Sequence, residues 1–187
     1  MTQTRDYLLI FDFDGVLADS EVLANIVLAA WVTELGLPTT LEESYERYMG
    51  KRAPEVIAAV ENELGIKLPD NSLEQYQLRT LERFRRDLQP VAGARQFLDQ
   101  FTDSPKCIAS SSSPERLDTC IDILDLNKDF GENVFSANLV ANGKPAPDIF
   151  LYAAEQMQME PVKAIVIEDS VSGIAAGRAA GMTVVGP

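Results

Sequence analysis

Histidine is absent from this chain of 187 residues. Its absence excludes Ser-His-Asp and Cys-His catalysis, imidazole general bases and zinc sites built on histidine. Any chemistry must use carboxylates, lysines, hydroxyls, thiols or backbone amides. Cysteine is nearly absent as well. Cys107 and Cys120 lie in apolar-periodic segments without CxxC or metal-ligand spacing, so both are expected to be buried free thiols in a reducing compartment. Positive charge is scarce: 16 Lys and Arg stand against 29 Asp and Glu, a net charge of −13. That argues against a nucleic-acid scaffold and against binding an anionic membrane surface. A small anionic substrate is not excluded, because local charges and a metal overrule the global field. No apolar run is long enough to span a membrane, and the one after the polar residues 1–6 is too short for a signal segment. A soluble cytoplasmic monomer is expected, with neither nucleic acid nor membrane as partner.

The 46% of hydrophobic residues suffices for a real core. Tyr7 to Asp12 contains a short unbroken apolar run, the pattern of a strand buried on both faces. From Asp19-Ser20 the spacing turns helical: Glu21–Gly36, a helix capped by Thr40 with Glu42 and Glu43 in its first turn, a third from about Ala53 to Leu64, and a fourth capped by Ser72 and running to about Asp87. After Gln89-Pro90 strands and helices alternate. Helix is expected from Val91-Ala92-Gly93-Ala94 to Phe101, from Glu115 to Leu124, from Pro147 to Met157 and from Val171 to Gly181. Strands are expected at 106–109, 134–136, 164–167 and 183–185. The alternation predicts βαβ units and a parallel sheet. The expected architecture is therefore α/β, a Rossmann-like parallel-sheet core (1–18 and 88–187) with an inserted α-helical cap domain (19–87).

In an open α/β sheet, ligands sit beyond the carboxyl ends of the strands. Here the predicted strands end in polar clusters. The first ends in Asp12-Phe13-Asp14-Gly15, the second in Ser110-Ser111, and the fourth in Glu168-Asp169-Ser170. Alternation in extended chain would make Asp12 and Asp14 converge while Phe13 enters the core. Two close carboxylates resist joint ionisation unless a cation neutralises them. With Glu168 and Asp169 in the same layer, the site is hard and oxygen-rich, suited to Mg2+ rather than Zn2+. An EF-hand is disfavoured because Val16 and Leu17 occupy the stretch where its loop needs acids. The serine run, opening a helix at Pro114, is either a helix cap or a phosphate cradle. Lys144, between Gly143 and Pro145, is placed to neutralise a phosphoryl group. Each cluster alone has an ordinary explanation as solvated loop residues; their joint placement at strand ends does not.

The stretches "DFDGVLADSE", "CIASSSSPERL", "GKPAPDIF" and "VIEDSVSGIAAGRAAGM" resemble, in order, those of the haloacid dehalogenase superfamily. The branch is the one with a helical cap after the first strand, similar to β-phosphoglucomutase-like and sugar-phosphate phosphatase proteins. The resemblance implies that Asp12 is a nucleophile forming an aspartyl-phosphate and that Asp14 is the general acid and then base. It implies Mg2+ on Asp12, the Asp14 backbone carbonyl and Asp169, with Glu168 adjacent. Ser110, with Ser111 as its neighbour and alternative, is implied to hold phosphate, and Lys144 the phosphoryl oxygens. The cap would select substrate through "MGKRAPE", where Lys51 or Arg52 meets an anionic end. A dehalogenase lacks an acid at the position of Asp14 and is disfavoured. The mutases of this branch carry a histidine where this chain has Ala24, which disfavours mutase chemistry. The resemblance thus implies a Mg2+-dependent phosphatase acting on a small phosphorylated metabolite, a sugar or sugar-acid phosphate. A phosphosugar mutase and a non-catalytic binding protein on the same fold are the alternatives.

Overall fold

The structure, a computed structural model, describes residues 6–48 and 53–186. The chain forms two compact units, Ser20–Leu88 and, on either side of it in sequence, Met1–Asp19 with Gln89–Pro187.

The larger unit is built on five parallel strands: β1 (Leu8–Phe11), β2 (Lys106–Ser110), β3 (Val134–Ser136), β4 (Ala164–Ile167) and β5 (Thr183–Val185). Their order in the sheet is β3-β2-β1-β4-β5. The sheet is thus Rossmann-like, with β1 at its centre. Succession runs outward from β1 to β3, then jumps back across β1 to β4. The reversal therefore falls between β1 and β4, the kind of switch point where ligand crevices open at the carboxyl ends of strands. The backbone N–H of Asp12 donates to the carbonyl of Ile167 at 2.9 Å, so these two strand ends are tied side by side.

The unbroken apolar run of β1 is explained by burial on both faces. Leu8 and Ile10 pack into a cluster with Ile149, Phe150 and Ala153 of α8 (Asp148–Gln156) and Ala176 of α9 (Val171–Ala179). Phe11 meets the edges of Phe97, in α5 (Ala94–Gln100), and Phe130, in α7 (Asn127–Phe130), with ring centroids 6.0 and 5.6 Å away. Helix α6 (Pro114–Ile123) follows β2 and buries Leu117, Cys120 and Ile121. Cys107 and Cys120 are free and buried, and burial raises both thiol pKa values. The short helix α7 was not expected; four residues are too few to show helical periodicity.

The helical unit contains α1 (Glu21–Glu34), α2 (Leu41–Tyr48), α3 (Ala53–Leu64) and α4 (Ser72–Asp87). Its own core gathers Leu28, Trp31, Val32, Tyr48, Val56, Val60 and Leu68, with Tyr76 stacked on Trp31. Thr40 and Glu43 cap α2 reciprocally: Thr40 N–H donates to Glu43 at 2.8 Å and Glu43 N–H to the Thr40 hydroxyl at 3.2 Å. Ser72, expected as a cap, instead lies inside the first turn of α4. Its N–H closes a turn onto the Pro69 carbonyl and the residue is buried, which leaves Asn71 in the cap position. The loop with Lys51 and Arg52 lies outside the described residues. Among the described residues, no helix is long and apolar enough to cross a membrane.

Candidate active site

The carboxyl end of β1 leaves extended conformation at once, because Gly15 turns the chain with φ +80. A side chain there would also be strained, and its Cβ would overlap the Asp169 carboxylate. Phe13 is fully buried, as expected from alternation, but Asp12 and Asp14 do not converge on one partner. Asp12 turns to Lys144, whose Nζ lies 2.6 Å from its Oδ1 and 2.7 Å from Oε1 of Glu168. Asp14 turns to β2's end. Its Oδ2 accepts from the Ser112 hydroxyl at 2.6 Å, and its Oδ1 pairs with the Arg116 guanidinium at 2.5 Å. Two acids separated by a single residue thus receive separate cations.

Lys144 reaches the site from the loop before α8, with its side chain only 4% exposed. Its Nζ also donates to the Ala109 carbonyl at 3.3 Å and lies 4.8 Å from the centre of the Phe150 ring. Glu168 is locked from below by the N–H and hydroxyl of Ser170, at 2.7 and 2.9 Å. Its carboxylate fills the space that a Cβ at Gly173, in the first turn of α9, would need.

Oxygens of Asp12, Glu168 and Asp169 come within 4.8 Å of one another. Three acids around one lysine leave two negative charges in a largely buried place. Burial pushes the Asp12 carboxyl up to about 7, against the pull of Lys144 and with Glu168 and Asp14 adding to the rise. Burial raises Asp169 as well, with Glu168 contributing. Burial works against the Lys144 ammonium, but the charges of Asp12 and Glu168 outweigh it and hold its pKa above the ordinary value. Such a group of hard oxygens, short of positive charge, fits a small divalent cation of the Mg2+ type.

The serine run divides its work. Strand β2 runs one residue further than expected, since Ser110 is paired in register with Ser136 and is wholly buried. The Ser110 hydroxyl accepts from the Ser112 N–H at 3.1 Å. Ser111 is exposed at the strand end. Ser113 caps α6 by accepting from the Arg116 N–H, with Pro114 in the first turn. Ser112 and Arg116 were not anticipated among the site residues. No sequence signal marked Arg116, since a cation beside the apolar face of a helix is the ordinary amphipathic pattern.

Comparison with known proteins gives the family. The haloacid dehalogenase-like hydrolase family matches residues 8–181. The chain belongs to that family. Among relatives in the family, a "phosphorylated carbohydrates phosphatase" of Thermotoga maritima is 36% identical over 182 residues, covering 93% of this chain and 81% of that one. The "6-phosphogluconate phosphatase" of Escherichia coli is 30% identical over 175 residues, covering 93% and 79%. A solved haloacid dehalogenase-like protein of unknown function from Agrobacterium tumefaciens superposes with a TM-score of 0.81 at 40% identity, covering 96% of this chain and 81% of that one.

Proposed function

We propose that the protein is a phosphoric monoester hydrolase acting on a small phosphorylated metabolite, a sugar or sugar-acid phosphate. The observation that carries this is the pairing of buried Asp12 with Lys144 beside Glu168 and Asp169, while Asp14 is held apart by Ser112 and Arg116. The names of the two phosphatase relatives support the substrate class.

In this reading Asp12 attacks phosphorus and carries the phosphoryl group as an aspartyl-phosphate. Lys144 pulls Asp12 toward its ionised form and orients it, and its charge offsets that developing on the phosphoryl oxygens. Asp14 gives its proton to the departing alcohol oxygen, then takes one from the water that attacks the aspartyl-phosphate. The exposed end of β2 at Ser111, with buried Ser110 behind it, offers hydroxyl and N–H donors to phosphate. Asp12, Asp169 and Glu168, with the Asp14 carbonyl, would hold Mg2+. When bound, it supplies the positive charge that lets a phosphate dianion approach these acids. The helical unit, through Lys51 or Arg52, would select the rest of the substrate.

The test is a panel of sugar and sugar-acid phosphates with Mg2+, with and without EDTA. The reading predicts phosphate release that stops in EDTA and in Asp12→Asn. Release that survives either change contradicts the mechanism. Isomerisation that outpaces release would establish a mutase instead, and an enzyme silent toward the whole panel would favour a binding protein.

A further inference from the structure

We propose that Arg116 determines specificity by binding a substrate carboxylate carried on the same carbon as the ester oxygen, which takes the place of Asp14 on its guanidinium. The inference rests on the phosphatase reading and narrows its substrate class.

Arg116 already holds a carboxylate. One Asp14 oxygen accepts from the Ser112 hydroxyl at 2.6 Å and the other pairs with the Arg116 guanidinium at 2.5 Å. Both oxygens of an ionised carboxylate are thus occupied, and in this arrangement Asp14 has no proton to give. The contact is therefore a resting one. To serve a departing alcohol, Asp14 must leave Arg116 and turn to the leaving oxygen. The Arg116 backbone does not follow. Its N–H donates to the Ser113 hydroxyl in the first turn of α6, and the next residue, Leu117, anchors that turn in the core at 1% exposure. The Ser112 carbonyl accepts from the Ser136 hydroxyl at 2.7 Å, which ties the same turn to the end of β3. The Arg116 side chain is 26% exposed, so an anion from solution can reach it.

Distance and charge select the anion. The leaving oxygen must lie one hydrogen bond from Asp14, and Arg116 lies one hydrogen bond beyond, so the two are about 6 Å apart. A carboxylate on the carbon that bears the ester oxygen spans that gap, whereas one at the far end of a sugar chain does not. An ester with no second anion must break a charge-assisted pair and puts nothing in its place. A carboxylate restores the pair, and the planar guanidinium matches its two oxygens. Exchange of one carboxylate for another therefore favours the acidic ester over its neutral counterpart, by a factor of about ten or more for a hydrogen bond to a charged group.

The experiment measures kcat/KM on two pairs of esters, each differing only by carboxylate against hydroxymethyl. In 2-phosphoglycerate and glycerol 2-phosphate the group sits beside the ester oxygen; in 6-phosphogluconate and glucitol 6-phosphate it sits at the far end. Wild type, Arg116→Gln and Arg116→Lys are compared, with melting curves for each. Wild type should prefer 2-phosphoglycerate over glycerol 2-phosphate at least tenfold. Arg116→Gln should remove most of that preference, Arg116→Lys should keep part of it, and the ratio for the far pair should not move. Equal losses on both members of the near pair would overturn the proposal by marking Arg116 as structural. A preference that survives Arg116→Gln, or an equal change in the far pair, would overturn it as well. The wild-type ratio tests the proposal even where a variant does not fold: a wild type that hydrolyses other sugar phosphates but shows no preference for 2-phosphoglycerate contradicts it. If wild type releases phosphate from no ester, the phosphatase reading itself fails and takes this inference with it.

Discussion

Replacing Lys144 by methionine isolates the electrostatics on which the site depends. The side chain is 4% exposed and bonds two carboxylates at 2.6 and 2.7 Å. Methionine keeps most of the volume against Phe150 and removes only the charge. Glu168 retains both Ser170 donors, so the deficit falls on Asp12. Breaking a buried ion pair by removing one partner costs about 3–5 kcal/mol. In a chain of this size that corresponds to a fall in Tm of about 10 °C. The cost depends on pH with a definite sign. Asp12 titrates at about 7 in the fold against 3.8 in the unfolded chain, so stability already falls as pH rises through that window. Loss of Lys144 lifts the folded value further, which deepens the loss and carries it to higher pH. At pH 5 Asp12 holds its proton in the variant and the cost shrinks. The assay is thermal melting in EDTA at pH 5 and pH 8, beside turnover with Mg2+. The prediction is a large Tm deficit at pH 8, a smaller one at pH 5, and at least a hundredfold loss of turnover. Equal Tm deficits at both pH values, or none, would refute the reasoning.

Two further outcomes are expected. Saturating Mg2+ at about a hundred times its Kd should stabilise the protein by about 2.7 kcal/mol, and Asp169→Asn should remove most of that gain in Tm. Away from the site, Asp129 forms a two-pronged pair with Arg95, at 2.6 and 2.7 Å, and the Arg95 hydrogen bonds hold its pKa below the usual value. That contribution is complete above about pH 4 and is lost as pH falls through the lowered value. Asp129→Asn should therefore cost about 1 kcal/mol at neutral pH, discounted for the exposed side of Arg95, with the difference shrinking in denaturant melts as pH is lowered below the ordinary carboxylate range.

Strand ends were the most legible part of this protein. A continuous apolar run can be buried on both faces only in a covered sheet, and a polar cluster after it can lie only at the sheet's edge. That logic located Asp12, Ser110, Glu168 and Asp169 from sequence alone. Lys144 was legible because its neighbours, Gly143 and Pro145, mark a loop between two such ends. What failed was extrapolation of strand geometry past the strand. Period-two alternation holds to Phe13, but the turn at Gly15 sends Asp14 to a partner 102 residues away. Arg116 was hidden for the complementary reason. A charged residue in the first turns of a helix usually faces water, and only the tertiary fold carries that turn to the end of β1. The end of β2 was misjudged by one residue because a serine looks like a loop residue until its strand partner, Ser136, is known.

The central claim, that Asp12 becomes phosphorylated during turnover, has a direct chemical test. Enzyme turning over a sugar phosphate is quenched in acid and reduced with borohydride, which converts an aspartyl-phosphate to homoserine. Peptide mass spectrometry then reads position 12. The account predicts homoserine at Asp12, dependent on substrate and absent after EDTA. Full turnover with unmodified Asp12, or modification at Asp14 or Asp169 instead, would contradict it.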